Sequence, residues 1–205
     1  MSAAQVGRAG RPGATSRAEL ELVARGLFAE RGFDATTVDD IAAAAGIGRR
    51  TFFRYFASKN DVVWGDFDRG LADLRLHLAA ADADTSLLAA LRDAVLAFNA
   101  LAADGLAWHR DRMALILRVP TLQAHSTLRY AAWRSVVAEF AGARLGLPPG
   151  DLLPQLVGHV CLGAALTAYE QWLQDQDADL AALLDQALRA LDGAWGAALP
   201  ERPCR

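Results

Sequence analysis

Seven residues between positions 49 and 59 could do chemistry on an anionic partner with stacked bases: Arg49, Arg50, Thr51, Phe53, Arg54, Tyr55 and Lys59. Guanidinium forks match guanine edges and phosphates, hydroxyls bond phosphate oxygens, and an exposed ring can meet a thymine methyl group. A solvated basic helix face would account for the arginines, but it leaves Phe53 unexplained, because a surface seldom spends a large ring where nothing covers it. The pattern points to duplex DNA. The histidines, His77, His109, His125 and His159, are scattered, with no nucleophile motif, metal-ligand spacing or glycine-rich phosphate loop. No enzymatic activity, cofactor or metal is expected.

Two short helices joined by a glycine turn must position these side chains. Thr37 can cap the first and joins the DNA-binding set; Asp40, three residues on, can return a bond to the cap, and Asp39 and Asp40 suit the positive helix end. Val38, Ile41, Ala42 and Ala45 recur at helical spacing, and Gly46 can end the helix in a left-handed conformation. The second helix is expected over 49–56, with Phe52 and Phe56 turned toward Ile41 and Ile47. This is a helix-turn-helix layout. Ser58 and Asp61 then cap a following helix whose first turn places Lys59 near a phosphate.

The segment from about residue 16 to 63 resembles the N-terminal domain of TetR-family transcriptional regulators. The resemblance is carried by Leu27, Phe28, Gly32, Phe33, Thr36, Thr37, Ile41, Ala42, Ala45, Gly46, Thr51, Phe53, Tyr55, Phe56, Ser58 and Lys59. Two positions depart from the pattern: Gly48 stands where a capping serine is common, and Arg50 replaces a small residue. Either could alter which bases are read. The runs over 48–56 and 60–67 further resemble the branch of the family tied to the mycofactocin redox-cofactor system. An interaction or ligand-binding module that reuses the fold without operator binding is the alternative, and it predicts no salt-sensitive binding to duplex.

Composition agrees with a soluble globular chain: 205 residues, 53% hydrophobic and 22% charged. The net charge of -3 is uneven, with +3 over residues 1–60 and -6 over the rest. A basic end attached to an acidic body focuses phosphate attraction on the reading head and makes affinity fall with salt. Residues 1–14 read as a flexible basic arm, a solvated tail or one that brings Arg8 and Arg11 to a minor groove. They do not resemble a signal peptide, and the apolar run near 152–169 is interrupted by Pro154, Gln155 and His159, so a cytoplasmic protein with no membrane partner is expected. Cys161 and Cys204 lack a paired spacing.

Beyond Lys59 the periodicity is helical throughout, with helices expected over 60–80, 86–103, 106–119, 121–145, 152–175 and 179–197. With 14–31 and the two helices of the head this makes an all-α chain of about nine helices, as the resemblance implies. The domains expected are the arm, a three-helix DNA-binding domain over 15–62, a helical effector-binding and dimerisation domain over 63–199, and a tail over 200–205. Apolar residues on the last two helices, Leu156, Val160, Tyr169, Trp172, Leu184, Leu188, Leu191 and Trp195, are expected to form a homodimer interface. A two-fold dimer suits a palindromic operator whose half-sites lie about 34 to 36 Å apart.

Trp64, Phe67, Phe98, Trp108, His109, Met113, Ile116, Trp133 and Val137 are candidates to line an effector pocket, with Arg112, Arg118, His125 and Arg134 as further polar fixtures. The family resemblance implies a repressor released by a small apolar effector. The branch resemblance adds an acyl-CoA, with arginines meeting its phosphates, and another apolar metabolite is equally compatible with the residues. A continuous helix over 60–80, starting beside the recognition helix, is expected to couple pocket to head.

Overall fold

The computed structural model describes residues 16–100 and 105–195, with side chains through Leu191. The arm with Arg8 and Arg11, the tail with Cys204, the end of the helix expected over 86–103, and the Trp195 side chain lie outside the described residues. The described residues form ten helices and no strand, in two compact units that divide between Gly65 and Asp66. That division lies three residues beyond the expected end of the DNA-binding domain.

The first unit holds α1 (Arg17–Arg31), α2 (Val38–Ala44), α3 (Arg49–Phe52) and α4 (Lys59–Trp64). Both α1 and α2 begin with a full capping box, Ser16 with Glu19 and Thr37 with Asp40. Gly46 ends the α2 segment with φ +66°, a conformation that favours glycine, and lets the chain turn directly into α3. Leu20, Ala24, Phe28 and Phe33 pack with Ile41, Ala42, Phe52, Phe56 and Val63 into a small closed core. Fully burying a ring such as Phe52 contributes about 1.5–3 kcal/mol, a large share for a unit this small.

One helix became two. The segment expected to run unbroken over 60–80 stops at Trp64, because Gly65 adopts φ +57° and ψ -137°, outside any helical region. It resumes as α5 (Phe67–Ala79), and this break accounts for ten helices where nine were expected.

The second unit contains α5 with α6 (Leu87–Phe98), α7 (Leu106–Arg118), α8 (Pro120–Leu145), α9 (Leu152–Gln174) and α10 (Leu180–Trp195). Pro120 opens α8 at its first position, where no intrahelical donor is needed, and Gly146 closes it in the left-handed region. α9 packs on α7, α8 and α10, while α10 also reaches α6. By length and hydropathy α9 could cross a membrane, yet Val157, Cys161, Ala165, Ala168 and Trp172 are buried against its neighbours, which marks it as a core helix. Gly142 permits a close passage, since a Cβ there would lie 2.7 Å from the Leu147 carbonyl oxygen.

Candidate nucleic-acid interface

The head sorts its cations into those spent on the fold and those left facing outward. Arg17, on α1, donates to the carbonyl oxygens of Tyr55 (3.0 Å) and Gly65 (2.7 Å) and lies over the Phe56 ring. It holds both ends of the segment around α4. Lys59 does the same for the loop before α2: its Nζ donates to the Phe33 and Thr36 carbonyl oxygens at 2.7 and 2.8 Å and sits 4.1 Å from the Phe33 ring centroid. Partial burial pushes its pKa below the usual lysine value, against the pull of Asp34. Lys59, expected to meet a phosphate, here spends two of its three ammonium donors on closing the first unit internally.

Thr37 is likewise occupied: its hydroxyl accepts from the Asp40 backbone N–H and donates to the Asp40 carboxylate. These hydrogen bonds from the Thr37 side chain and backbone, aided by Arg31, hold the Asp40 carboxyl below the usual carboxylate range.

α3 is a single turn, four residues rather than the expected eight, and Phe53, Arg54 and Tyr55 lie in the turn that follows. No side chain caps it, since Gly48 has none to offer. Phe52 is fully buried and meets Phe53 edge-on at 5.5 Å and Phe56 at 5.7 Å. The buried rings fix the turn and leave Phe53 44% exposed beside exposed Arg49, Arg50 and Arg54, with Thr51 and Tyr55 half-buried. Arg49 donates to the Asp39 carboxylate at 2.8 Å, while Arg54 lies over the Tyr55 ring. A small apolar wedge thus carries three outward guanidinium groups and one uncovered ring on consecutive turns.

That arrangement agrees with two family models. Residues 22–63 match the family described as bacterial regulatory proteins, tetR family, and residues 85–196, more than half of the chain, match the MftR C-terminal domain. The chain is 47% identical, over 88% of its length and 91% of the other protein's, to the Mycobacterium tuberculosis protein named as mycofactocin biosynthesis transcriptional regulator MftR. The chain belongs to the TetR family. This TetR-family transcriptional regulator is also 31% identical to the HTH-type transcriptional regulator TcmR of Streptomyces glaucescens, over 86% of its own length and 81% of TcmR. Among solved structures, Thermus thermophilus FadR, a TetR-family repressor in complex with lauroyl-CoA, superposes with a TM-score of 0.57 at 25% identity, covering 93% of this chain and 99% of that one. A TetR-family regulator works by binding, not by catalysis. Among the described residues no cluster of three or more histidine, cysteine or carboxylate side chains could hold a metal, and burial raises the Cys161 thiol to about 12.

In the second unit of the regulator, the residues expected to line a pocket are partly brought together. Met113, Ile116, Trp133 and Val137 are buried, Phe67 and Phe98 meet edge-on at 6.3 Å, and Trp108 is half-buried; Trp64 belongs to the first unit. His109 is the buried centre of a polar chain. Arg112 donates to its Nδ1 (2.7 Å), so Nε2 carries the proton and donates to the Tyr169 hydroxyl (2.7 Å), which in turn donates to Asn99 Oδ1 (2.6 Å). Arg118 donates to the Leu173 carbonyl, His125 is half-buried and Arg134 lies where α8 approaches Gly158.

Four residues expected at a dimer surface are instead buried within the protomer. Tyr169 and Trp172 lie in helical phase with Val157, Cys161, Ala165 and Ala168, the inward face of α9. Leu184 and Leu188 face inward from α10. Leu191 is half-buried. The outward stripe of α9 runs through Leu152, Leu156, Val160, Gly163 and Thr167.

Sequence reasoning missed Arg17 and Asn99 as polar fixtures and read Asp39 only as an N-terminal acid. The one available signal was the placement of Asp39 and Arg49 in the first turns of adjacent helices.

Proposed function

We propose that the protein is a ligand-responsive repressor that binds a palindromic operator as a homodimer and is released by an apolar effector, with an acyl-CoA the leading class. The observation that carries the reading is the outward face of α3 and its following turn, where Arg49, Arg50 and Arg54 surround an uncovered Phe53 while Arg17 and Lys59 are committed to the fold. Outward-facing cations beside a ring, with Arg49 held by Asp39, suit phosphate and base-edge contact. A cytoplasmic location follows from that role.

Leu152, Leu156, Val160, Gly163 and Thr167 form the stripe of α9 offered to a second copy, and two-fold pairing there repeats the reading head for the two halves of a palindrome. The acyl-CoA class is supported by the lauroyl-CoA described with Thermus thermophilus FadR, a relative at 25% identity. Met113, Ile116, Trp133 and Val137 supply apolar wall, and Arg112 supplies charge near the buried polar chain.

The test uses a labelled duplex carrying the DNA upstream of the protein's own gene, titrated at two salt concentrations and then with lauroyl-CoA, free CoA or laurate. Specific binding that weakens with salt is expected, together with a loss of about 5- to 150-fold on adding lauroyl-CoA but not CoA. Binding no tighter than to a scrambled duplex would overturn the operator reading. Release by an unrelated apolar metabolite but not by lauroyl-CoA would overturn the effector class alone.

A further inference from the structure

The arginines on and after α3 differ in what holds them. Arg50 makes no hydrogen bond, ion pair or ring contact among the described residues, and Arg54 rests on its neighbour Tyr55. Arg49 is tied to a carboxylate: its Nη1 donates to Asp39 Oδ2 at 2.8 Å, and its guanidinium carbon lies 5.5 Å from the Phe53 ring centroid. Asp39 stands in the first turn of α2 and Arg49 opens α3, so the ion pair spans the two helices of the head at the recognition helix's N-terminal end.

We propose that Asp39 is a specificity-determining residue of the DNA reader, orienting the Arg49 guanidinium toward a guanine edge and away from phosphate. The proposal rests on the reading of α2 and α3 as the operator-binding head. An arginine serving phosphates gains from an uncompensated charge, whereas a carboxylate at 2.8 Å both cancels that charge and repels the phosphate it would approach. A guanidinium has five donors in a rigid fork, and fixing Nη1 leaves the Nε and Nη2 edge free to match the two acceptors of guanine.

Position agrees with charge, since base contacts in helix-turn-helix proteins come from the first residues of the recognition helix. Stability does not explain the pair. Both side chains are more than 60% exposed, and an ion pair this wet adds little to folding. Phe53 on the other side narrows the arc through which the guanidinium can swing, so the fork is presented in one orientation before DNA arrives.

The experiment is selection of binding sites from a random duplex library by the full-length protein, followed by affinity measurements on every single-base variant of the selected site. The same set is measured for Asp39→Asn, Arg49→Lys and the double variant. Both substitutions fall at exposed positions that are not the bonding residues of the Thr37–Asp40 capping box, and circular dichroism checks each variant for wild-type helicity. Asp39→Asn and Arg49→Lys are expected to lose about 5- to 150-fold of discrimination at one shared base-pair position per half-site, the range for one bidentate arginine–guanine pair. The double variant loses no more than either alone, and Asp39→Asn binds a scrambled duplex at least as tightly as the wild type.

If Arg49→Lys loses the position while Asp39→Asn keeps it, Arg49 reads alone and the proposal is wrong. Uniform tightening by Asp39→Asn on all duplexes with unchanged preferences reduces Asp39 to simple repulsion and is equally fatal. A wild type that enriches no motif removes the reader itself.

Discussion

Acidification from about pH 8 to about pH 5.5 should weaken the second unit through His109, by about 1.4 kcal/mol that a His109→Gln variant does not lose. The geometry sets the direction. Nδ1 of His109 accepts from Arg112, a donor that cannot give up its charge, so protonating the imidazole breaks that bond and places two cations together in a buried site. Burial, reinforced by Arg112, lowers the folded-state pKa from the ordinary 6.5 to about 3. The unfolded chain therefore takes up a proton near pH 6.5 that the folded chain refuses until near pH 3. The stabilisation is fully present above pH 6.5, falls as the pH drops, and stops changing only near the folded value.

At about pH 5.5 an unfolded histidine is ten parts protonated to one neutral, so the loss is RT ln 11, about 1.4 kcal/mol. This figure depends on the unfolded pKa and needs only that the folded one lie well below 5.5. Urea unfolding followed by circular dichroism at fixed protein concentration measures it at both pH values. The quantity compared is the change with pH in wild type minus the change in His109→Gln, which cancels every other titrating group and the fixed cost of the substitution. A difference near zero would mean that the folded protein accommodates the imidazolium, and would overturn this prediction.

Three further outcomes follow from the same geometry. Lys59→Met should destabilise the first unit by about 1–3 kcal/mol by leaving the Phe33 and Thr36 carbonyls without their shared donor; in thermal melts read alongside DNA binding, affinity should return on cooling, whereas a phosphate role predicts weak binding at all temperatures. Gly142→Ala should cost about 1–3 kcal/mol despite a helix-propensity gain of about 1 kcal/mol, since the new Cβ would meet the Leu147 carbonyl and the Pro149 backbone, neither of which can rotate away; Gly26→Ala on α1, with nothing within 4 Å of its Cβ, is the control in urea unfolding. Leu156→Asp with Val160→Asp, on the outward stripe of α9, should give a folded monomer by analytical ultracentrifugation and reduce operator affinity by at least about tenfold through loss of the second head.

Much of this fold was legible because its punctuation is local. Thr37 with Asp40, Gly46, Pro120 and Gly146 act through bonds or torsions within a few residues, and each stands where a helix begins or ends. Gly65 was not legible. Isolated glycines are tolerated inside helical patterns, and Val62, Val63 and Trp64 on one side with Phe67 and Leu71 on the other continue an apolar period that runs straight through it. The torsions at Gly65 break the helix there, and the two segments fall in different compact units.

The site failed to read out where the partner of a charged or aromatic group is a backbone atom or a distant helix. Lys59 follows a basic recognition segment and so resembles a phosphate ligand, yet its acceptors are carbonyls 26 and 23 residues earlier in the chain. Periodicity shows that α9 has two apolar faces but carries no mark of which is spent inside the protomer. Tyr169 is assigned inward by His109 and Asn99, 60 and 70 positions away. The converse holds for Asp39. Its carboxylate satisfies the local rule for a helix N-terminus so well that the second role, reaching across the turn to Arg49, leaves no separate trace in the sequence. A residue whose local duty already explains it is thus the place where a specificity role hides, and among the acids of the head Asp39 is the one tied to an arginine of α3.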